Sequence, residues 1–265
     1  MTRAFRPSHS RLSSTTHRGL SLAAVILLAW LVSLLGLLSL DLGRLHGAAL
    51  VAVLVAALVG RTLLQTGLFI VGHDAMHGVL LPERRRWNNR LGAVALALYA
   101  ALPYQSCSRN HQRHHRFTAS AEDPDFHGDP RAGALGWYRR FMAGYLSAGQ
   151  MTQLLGGWAL LAWVACSLHS AGWINVLLFC TLPLLLSSLQ LFVFGTYLPH
   201  RRQRLPHLRS QPDSLDLPPW LSLLACFHFG YHREHHDSPH LAWFELPAQH
   251  RRSRPLRRVP GLAAA

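Results

Sequence analysis

The sequence predicts an all-α integral membrane protein, in which four transmembrane helices carry a cytoplasmic histidine-rich cap holding a di-metal site. Three observations predict it. Four apolar runs, three uncharged and one carrying a single arginine, approach or exceed the ~20 residues that cross a bilayer. Three histidine groups at helical-face spacing lie just outside those runs. The 26 basic residues are all arginine, and nearly all of them fall on one side of the runs.

Residues 1–18 form a polar tail with Arg3, Arg6, Arg11 and Arg18 and no acidic partner. Leu20–Leu40 is uncharged, too long for the apolar core of a secretory signal, and lacks a small-residue cleavage site, so it reads as the first span. Gly47–Gly72 is the second and ends directly at His73. Its one charge, Arg61, is expected to be paired structurally inside the protein, because an ion facing hydrocarbon is costly. Met151–Leu168 and Trp173–Pro199 are the third and fourth spans, joined by a short link. Leu91–Ser108 has too short an apolar core to cross and reads as interfacial or re-entrant; crossing would also put His77 and His111 on opposite sides. Leu217–Tyr231, opening Pro218-Pro219-Trp220, reads as an amphipathic belt at headgroup level.

Four arginines precede the first span, ten lie in 73–150 and ten in 200–265, whereas the opposite links carry Arg44 alone. Both termini and every histidine group are therefore expected in the cytoplasm. The domain reading is a single membrane unit, 19–247, with an N-terminal tail, 1–18, and a basic C-terminal tail, 248–265. A formal charge of +14 suggests nucleic acid, but membrane topology already accounts for the arginines, and no nucleic-acid partner is expected. Cys107, Cys166, Cys180 and Cys226 show no paired spacing, so buried thiols are expected rather than disulfides.

The chemistry lies in His232-Arg-Glu-His235-His236, in His111-Gln-Arg-His114-His115 and in His73-Asp-Ala-Met-His77. Positions i, i+3 and i+4 share one face of a helix, so the rings of each group are expected to converge on one point. Nitrogen ligands suit Fe, Zn, Cu or Ni rather than Mg or Ca, and eight exceed what one ion uses, which implies two. Carboxylates stand beside them: Asp74, Glu234, Asp237 and the turn from Glu122 to His127. Asp74, Asp123, Asp125 and Glu234 are the candidates for a catalytic part, orienting imidazole N–H groups or bridging the metals. A zinc protease would carry H-E-x-x-H, but position 74 is Asp; a transporter would place its ligands inside the spans.

These boxes, with the stretches Thr66–Gly78, Asp123–His127, Leu189–Arg201 and Phe229–His236, resemble the membrane fatty acid desaturase and hydroxylase superfamily of di-iron oxygenases. Within it the chain is similar to the bacterial and cyanobacterial β-carotene ketolases over most of residues 60–247. One departure is Ala242-Trp243-Phe244, where the family typically reads Pro-Trp-Trp. The resemblance implies two Fe2+ ions held by His73, His77, His111, His114, His115, His232, His235 and His236, with His200 at the end of the fourth span as a ninth ligand. It implies O2 as cosubstrate, electrons from an external donor of ferredoxin type, and a carotenoid drawn from the membrane lipids. The reaction it implies is two hydroxylations at C4 of a β-ionone ring, then loss of water to leave a ketone. A carotenoid ring hydroxylase and a fatty acyl desaturase share the histidine pattern and stand as alternatives. Candidate channel walls are Phe69, Met76, Tyr99, Phe126, Phe192, Phe194, Tyr197, Phe229 and Tyr231, while His207 and His250 are expected to lie outside the site.

Overall fold

The structure is a computed structural model and describes residues 9–129, 132–201 and 211–257. In chain order its helices are α1 (His9–Leu38), α2 (Gly47–His77), α3 (Arg85–Ala100), α4 (Tyr104–Arg116) and α5 (Ala134–Tyr145). There follow α6 (Ala148–Leu168), α7 (Gly172–His200), α8 (Pro219–Cys226), α9 (His232–Asp237) and α10 (Leu246–Arg257). Four of them, α1, α2, α6 and α7, are long and apolar enough to cross a membrane, within a few residues of the runs read from the sequence. Their outer faces stay apolar, with Val32, Val51, Leu160 and Trp163 more than half exposed, as suits contact with lipid.

The second helix is the one that carries chemistry out of the bundle. Its 31 residues extend to about 46 Å at 1.5 Å per residue, well beyond a ~30 Å hydrocarbon layer. The surplus turns bear His73 and His77, and Gly78, at φ 76, closes the helix in a left-handed cap. Helix α3 then packs back along α2, so closely that a Cβ at Gly72 would stand 2.6 Å from the Leu96 side chain. The chain reverses at Ala101 (φ 53) rather than crossing, and α4 returns the second histidine box to the end where α2 leaves it. Helix α8 is a short piece with Trp220 and Leu224 exposed.

The expected tails are partly structured. The N-terminal one is helical from His9 onward, and the C-terminal one continues as α10 as far as Arg257, with His250 buried. The four cysteines are free thiols; Cys107, Cys180 and Cys226 are buried and Cys166 is exposed.

Helix α7 is irregular for a local reason. Pro183 has no N–H to donate to the carbonyl four residues back, Phe179, and Pro199 likewise leaves Gly195 without its donor. The helix widens into π turns at Leu177–Thr181 and Phe192–Tyr197, just ahead of each proline. Arg61, 1 % exposed, fills the first gap: its Nε donates to Phe179 O at 3.0 Å. Its Nη1 donates to Trp30 O at 2.7 Å and Ser33 Oγ at 3.1 Å, and its guanidinium lies 5.0 Å from the Trp30 ring centre. One cation thus ties α1, α2 and α7 together, with no acidic partner among the described residues. Arg61→Met should lower stability in detergent by on the order of 2 kcal/mol, the cost of orphaning a buried acceptor. Pro183→Ala, which returns an N–H to Phe179 O, should recover part of that loss in a thermal melt.

Candidate metal centre

The histidines do gather at one end of the bundle, but not by box. Each helical triplet is divided between two sets. His73, His77, His111 and His235 form one, and His114, His200, His232 and His236 form the other, with the ligand nitrogens of each set within 4.8 Å of one another. The expectation that a box converges on one point is corrected here, for a geometric reason. At 3.6 residues per turn, i+3 and i+4 lie about 100° apart around the axis, so adjacent histidines look to different neighbours. On α4, His111 faces the pair from α2 while His114 faces α7; on α9, His235 faces α2 while His232 and His236 face α7. His200, expected from resemblance alone, is 1 % exposed, with Nε2 3.0 Å from His232 Nε2.

His115 belongs to neither set of four and lies between them. Its Nε2 is 3.0 Å from His111 Nε2 and 2.9 Å from His235 Nε2, while its ring stacks on His236 at 4.2 Å. His111 Nε2 also stands 2.9 Å from His73 Nε2 and 2.7 Å from His77 Nε2. One ring nitrogen carries a single proton or a single lone pair, so it can satisfy only one such neighbour by hydrogen bonding. A cation satisfies them all: nitrogens at right angles about a centre ~2.1 Å away are about 3.0 Å apart, which matches the spacing seen. The donor set therefore fits a metal that accepts imidazole.

The protonation state agrees. Burial, reinforced by neighbouring imidazoles, pushes His111, His232, His235 and His236 well below the usual histidine range and His115 down to about 2. These rings are neutral, the form that binds metal. Burial is the largest single influence on both His114 and Asp123 and opposes charge on each, but their hydrogen bond, the nearby opposite charges and, for Asp123, the Ala119 and Asp125 N–H groups together outweigh it, raising the imidazole and lowering the carboxyl.

The four carboxylates have different surroundings. Asp123 Oδ1 accepts from His114 Nδ1 at 2.8 Å, which turns His114 Nε2 toward the second set. Asp123 is itself held by the Ala119 and Asp125 N–H groups, at 2.8 and 2.9 Å. Asp74 Oδ1 is 3.6 Å from His73 Nδ1, beyond hydrogen-bond reach, and Oδ2 accepts from Trp243 N at 3.3 Å. Asp125 accepts from the Tyr145 hydroxyl at 3.0 Å, and burial pushes its carboxyl up to about 6. Glu234, 1 % exposed, accepts from Ser214, from Ser253 Oγ at 2.7 Å and from His250 Nδ1 at 3.1 Å. His250 was expected outside the site. Its ring is buried and stacks on Tyr231 at 4.3 Å, so it braces the carboxylate beside the third box. His207 lies outside the described residues.

Beside the rings is a small space lined by His73, His111, His114, His232, Met76 and Phe229 among others. It meets an apolar cavity of about 250 Å³ at Phe69, Phe141, Tyr145 and Leu191, which line both. The cavity runs between α2, α3, α5, α6 and α7, and exposed Leu146 and Leu185 at its rim put its mouth on the side of the bundle. Of the expected walls, Phe69, Tyr99, Met76 and Phe229 line these spaces. Phe126 and Tyr197 pack instead on Trp137, Phe192 on Tyr138, and Tyr231 on His250, while Phe194 lines a separate outer groove with Leu58 and Leu224. Phe141 and Tyr145 were missed because α5 was not recognised as an element that closes the site, and Gln150 and Trp158 because which face of α6 turns to the cavity is decided by packing.

A sequence profile described as fatty acid desaturase matches residues 47–262. A β-carotene ketolase of Paracoccus sp. (strain PC1) is 41 % identical over 86 % of this chain and 90 % of its own. A β-carotene ketolase of Haematococcus lacustris is 36 % identical over 77 % of this chain and 64 % of its own. A zeaxanthin 4-ketolase of Chlamydomonas reinhardtii is 36 % identical over 79 % and 47 % respectively.

Elemental analysis of the purified protein tests the geometry. His200→Ala should lower the metal retained, Asp123→Ala should weaken retention on the order of 10–100-fold, and His240→Ala, at an exposed histidine three residues past α9, should change nothing.

Proposed function

The chain belongs to the fatty acid desaturase family, and from that premise we propose that it is a membrane oxygenase that places a ketone at C4 of the β-ionone rings of carotenoids. The observation that carries this reading is the meeting of the apolar cavity with the two histidine sets, in a chain whose relatives bear ketolase names. Iron is the metal inferred, since the site accepts Fe, Zn, Cu or Ni and zinc has no redox chemistry. A bound pair of ferrous ions would supply the reduction of O2 to an oxidant able to break an allylic C–H bond.

What the chain itself does is bind, orient and keep water out. The imidazoles would hold the ions, with His115 a fifth donor toward the first set, and Asp123 keeps His114 in the required tautomer. At about 250 Å³ the cavity has the volume of roughly eight waters, enough for one ring end but not for a C40 chain, whose remainder stays in lipid. The lateral mouth at Leu146 and Leu185 suits a substrate soluble only in the bilayer. Each hydroxylation uses one O2, two electrons and two protons; one oxygen enters the C–H bond and the other leaves as water. Two rounds on the same carbon give a geminal diol, which loses water to the ketone. The electrons come from an external donor of ferredoxin type. Both termini and the cap face the cytoplasm, where the arginines lie.

Expression in bacteria that accumulate β-carotene should yield the monoketone or the diketone (echinenone or canthaxanthin) on chromatography of the pigments. Unchanged β-carotene, with folded, iron-loaded protein and a ferredoxin supplied, would remove the reading. Topology reporters inserted within 128–140 and at the C-terminus should both score cytoplasmic; a periplasmic score at the first would overturn the orientation.

A further inference from the structure

Tyr145 is the last residue of α5, and its ring stands at the seam between the apolar cavity and the space beside the histidines. The other residues common to both spaces, Phe69, Phe141 and Leu191, are apolar. The Tyr145 hydroxyl donates to Asp125 Oδ1 at 3.0 Å. Asp125, 7 % exposed, is held at both ends: its N–H donates to Asp123 Oδ1 at 2.9 Å and its carbonyl accepts from Trp137 Nε1 at 2.9 Å. A phenol has one proton, and this one is committed to a carboxylate that can only accept while ionised. The Tyr145 oxygen is therefore an acceptor without a donor to offer.

The ring species of the proposed reaction differ in that respect. The starting methylene at C4 has no donor, the alcohol left by the first hydroxylation has one, the geminal diol has two, and the ketone has an acceptor alone. We propose that Tyr145 accepts a hydrogen bond from the C4 alcohol, retaining the half-oxidised ring for its second hydroxylation and releasing the ketone, to which it has no proton to give. This rests on the ketolase reading above and deepens it. Tyr145 exchanges no atom with the substrate: the second round still takes one O2, two electrons and two protons, and the diol still sheds water.

Tyr145→Phe keeps the ring and removes the acceptor. In β-carotene-accumulating cells the ratio of 4-hydroxylated to 4-keto pigments should rise on the order of 5-fold, the worth of one neutral hydrogen bond. A merely structural role would lower both products together and leave the ratio where it was, and that result overturns the proposal. A second measurement needs no variant. The wild-type protein, iron-loaded and held in lipid nanodiscs, should bind 4-hydroxy-β-carotene several-fold more tightly than either β-carotene or its 4-ketone. Equal binding of alcohol and ketone refutes the retention. Wild-type cells that make no ketone at all would instead remove the ketolase reading beneath it, so the two failures are told apart.

Discussion

His111 Nε2 lies within 3.0 Å of three other imidazole nitrogens, and the cap is built to hold that crowding in place. Neutral rings at these distances present their lone pairs toward a common centre. The scaffold fixes those directions. Helix α2 supplies two rings one turn apart, α4 and α9 supply rings on adjacent faces, and Phe229 sets its ring at 90° against His73 to limit its rotation. His115, stacked on His236, couples the two sets so that neither relaxes alone. A cation accepts these donors together, and because the scaffold already sets their directions the arrangement is a preorganised one.

The bundle below serves the same end by length and register. A span that merely crossed the bilayer would leave His73 and His77 at headgroup level; the surplus turns of α2 lift them into the cap. Helix α7 delivers His200 through two proline-driven π turns. Each shifts the helical phase, and each frees a carbonyl that must be satisfied in a medium without water. Arg61 meets the first of these needs with backbone and hydroxyl acceptors from two neighbouring helices, so its charge is spread over dipoles rather than paired with an acid.

Around the rings the carboxylates divide their labour by neighbourhood. Asp123 touches an imidazole directly. Glu234, on the same short helix between His232 and His235, ties α9 to α10 and to the segment at Ser214. Asp125 lines the small space beside the histidines and accepts the Tyr145 proton. The same side-chain type thus orients a ligand, fastens an element or sets the polarity of a substrate space, according to what the fold brings within 3 Å.

The spans, the gathering of the histidines at one end of the bundle and the residue type of the candidate ligands could be read from the sequence, because each is local. Hydrophobic length is a property of a single run, and i, i+3, i+4 spacing needs only one helix. The reading of Leu91–Ser108 as short of a crossing rested on one further demand, that His77 and His111 meet, and their Nε2 atoms stand 2.7 Å apart. What the sequence could not carry is the partition of the rings. Whether His114 faces His111 or His232 depends on how α4 is rotated against α7 and α9, and a 100° step separates the two answers. The bond from His250 to Glu234, the walls that α5 adds to the cavity and the partner of Arg61 belong to the same class. Each is a contact between elements far apart in the chain, decided by packing that no single run encodes.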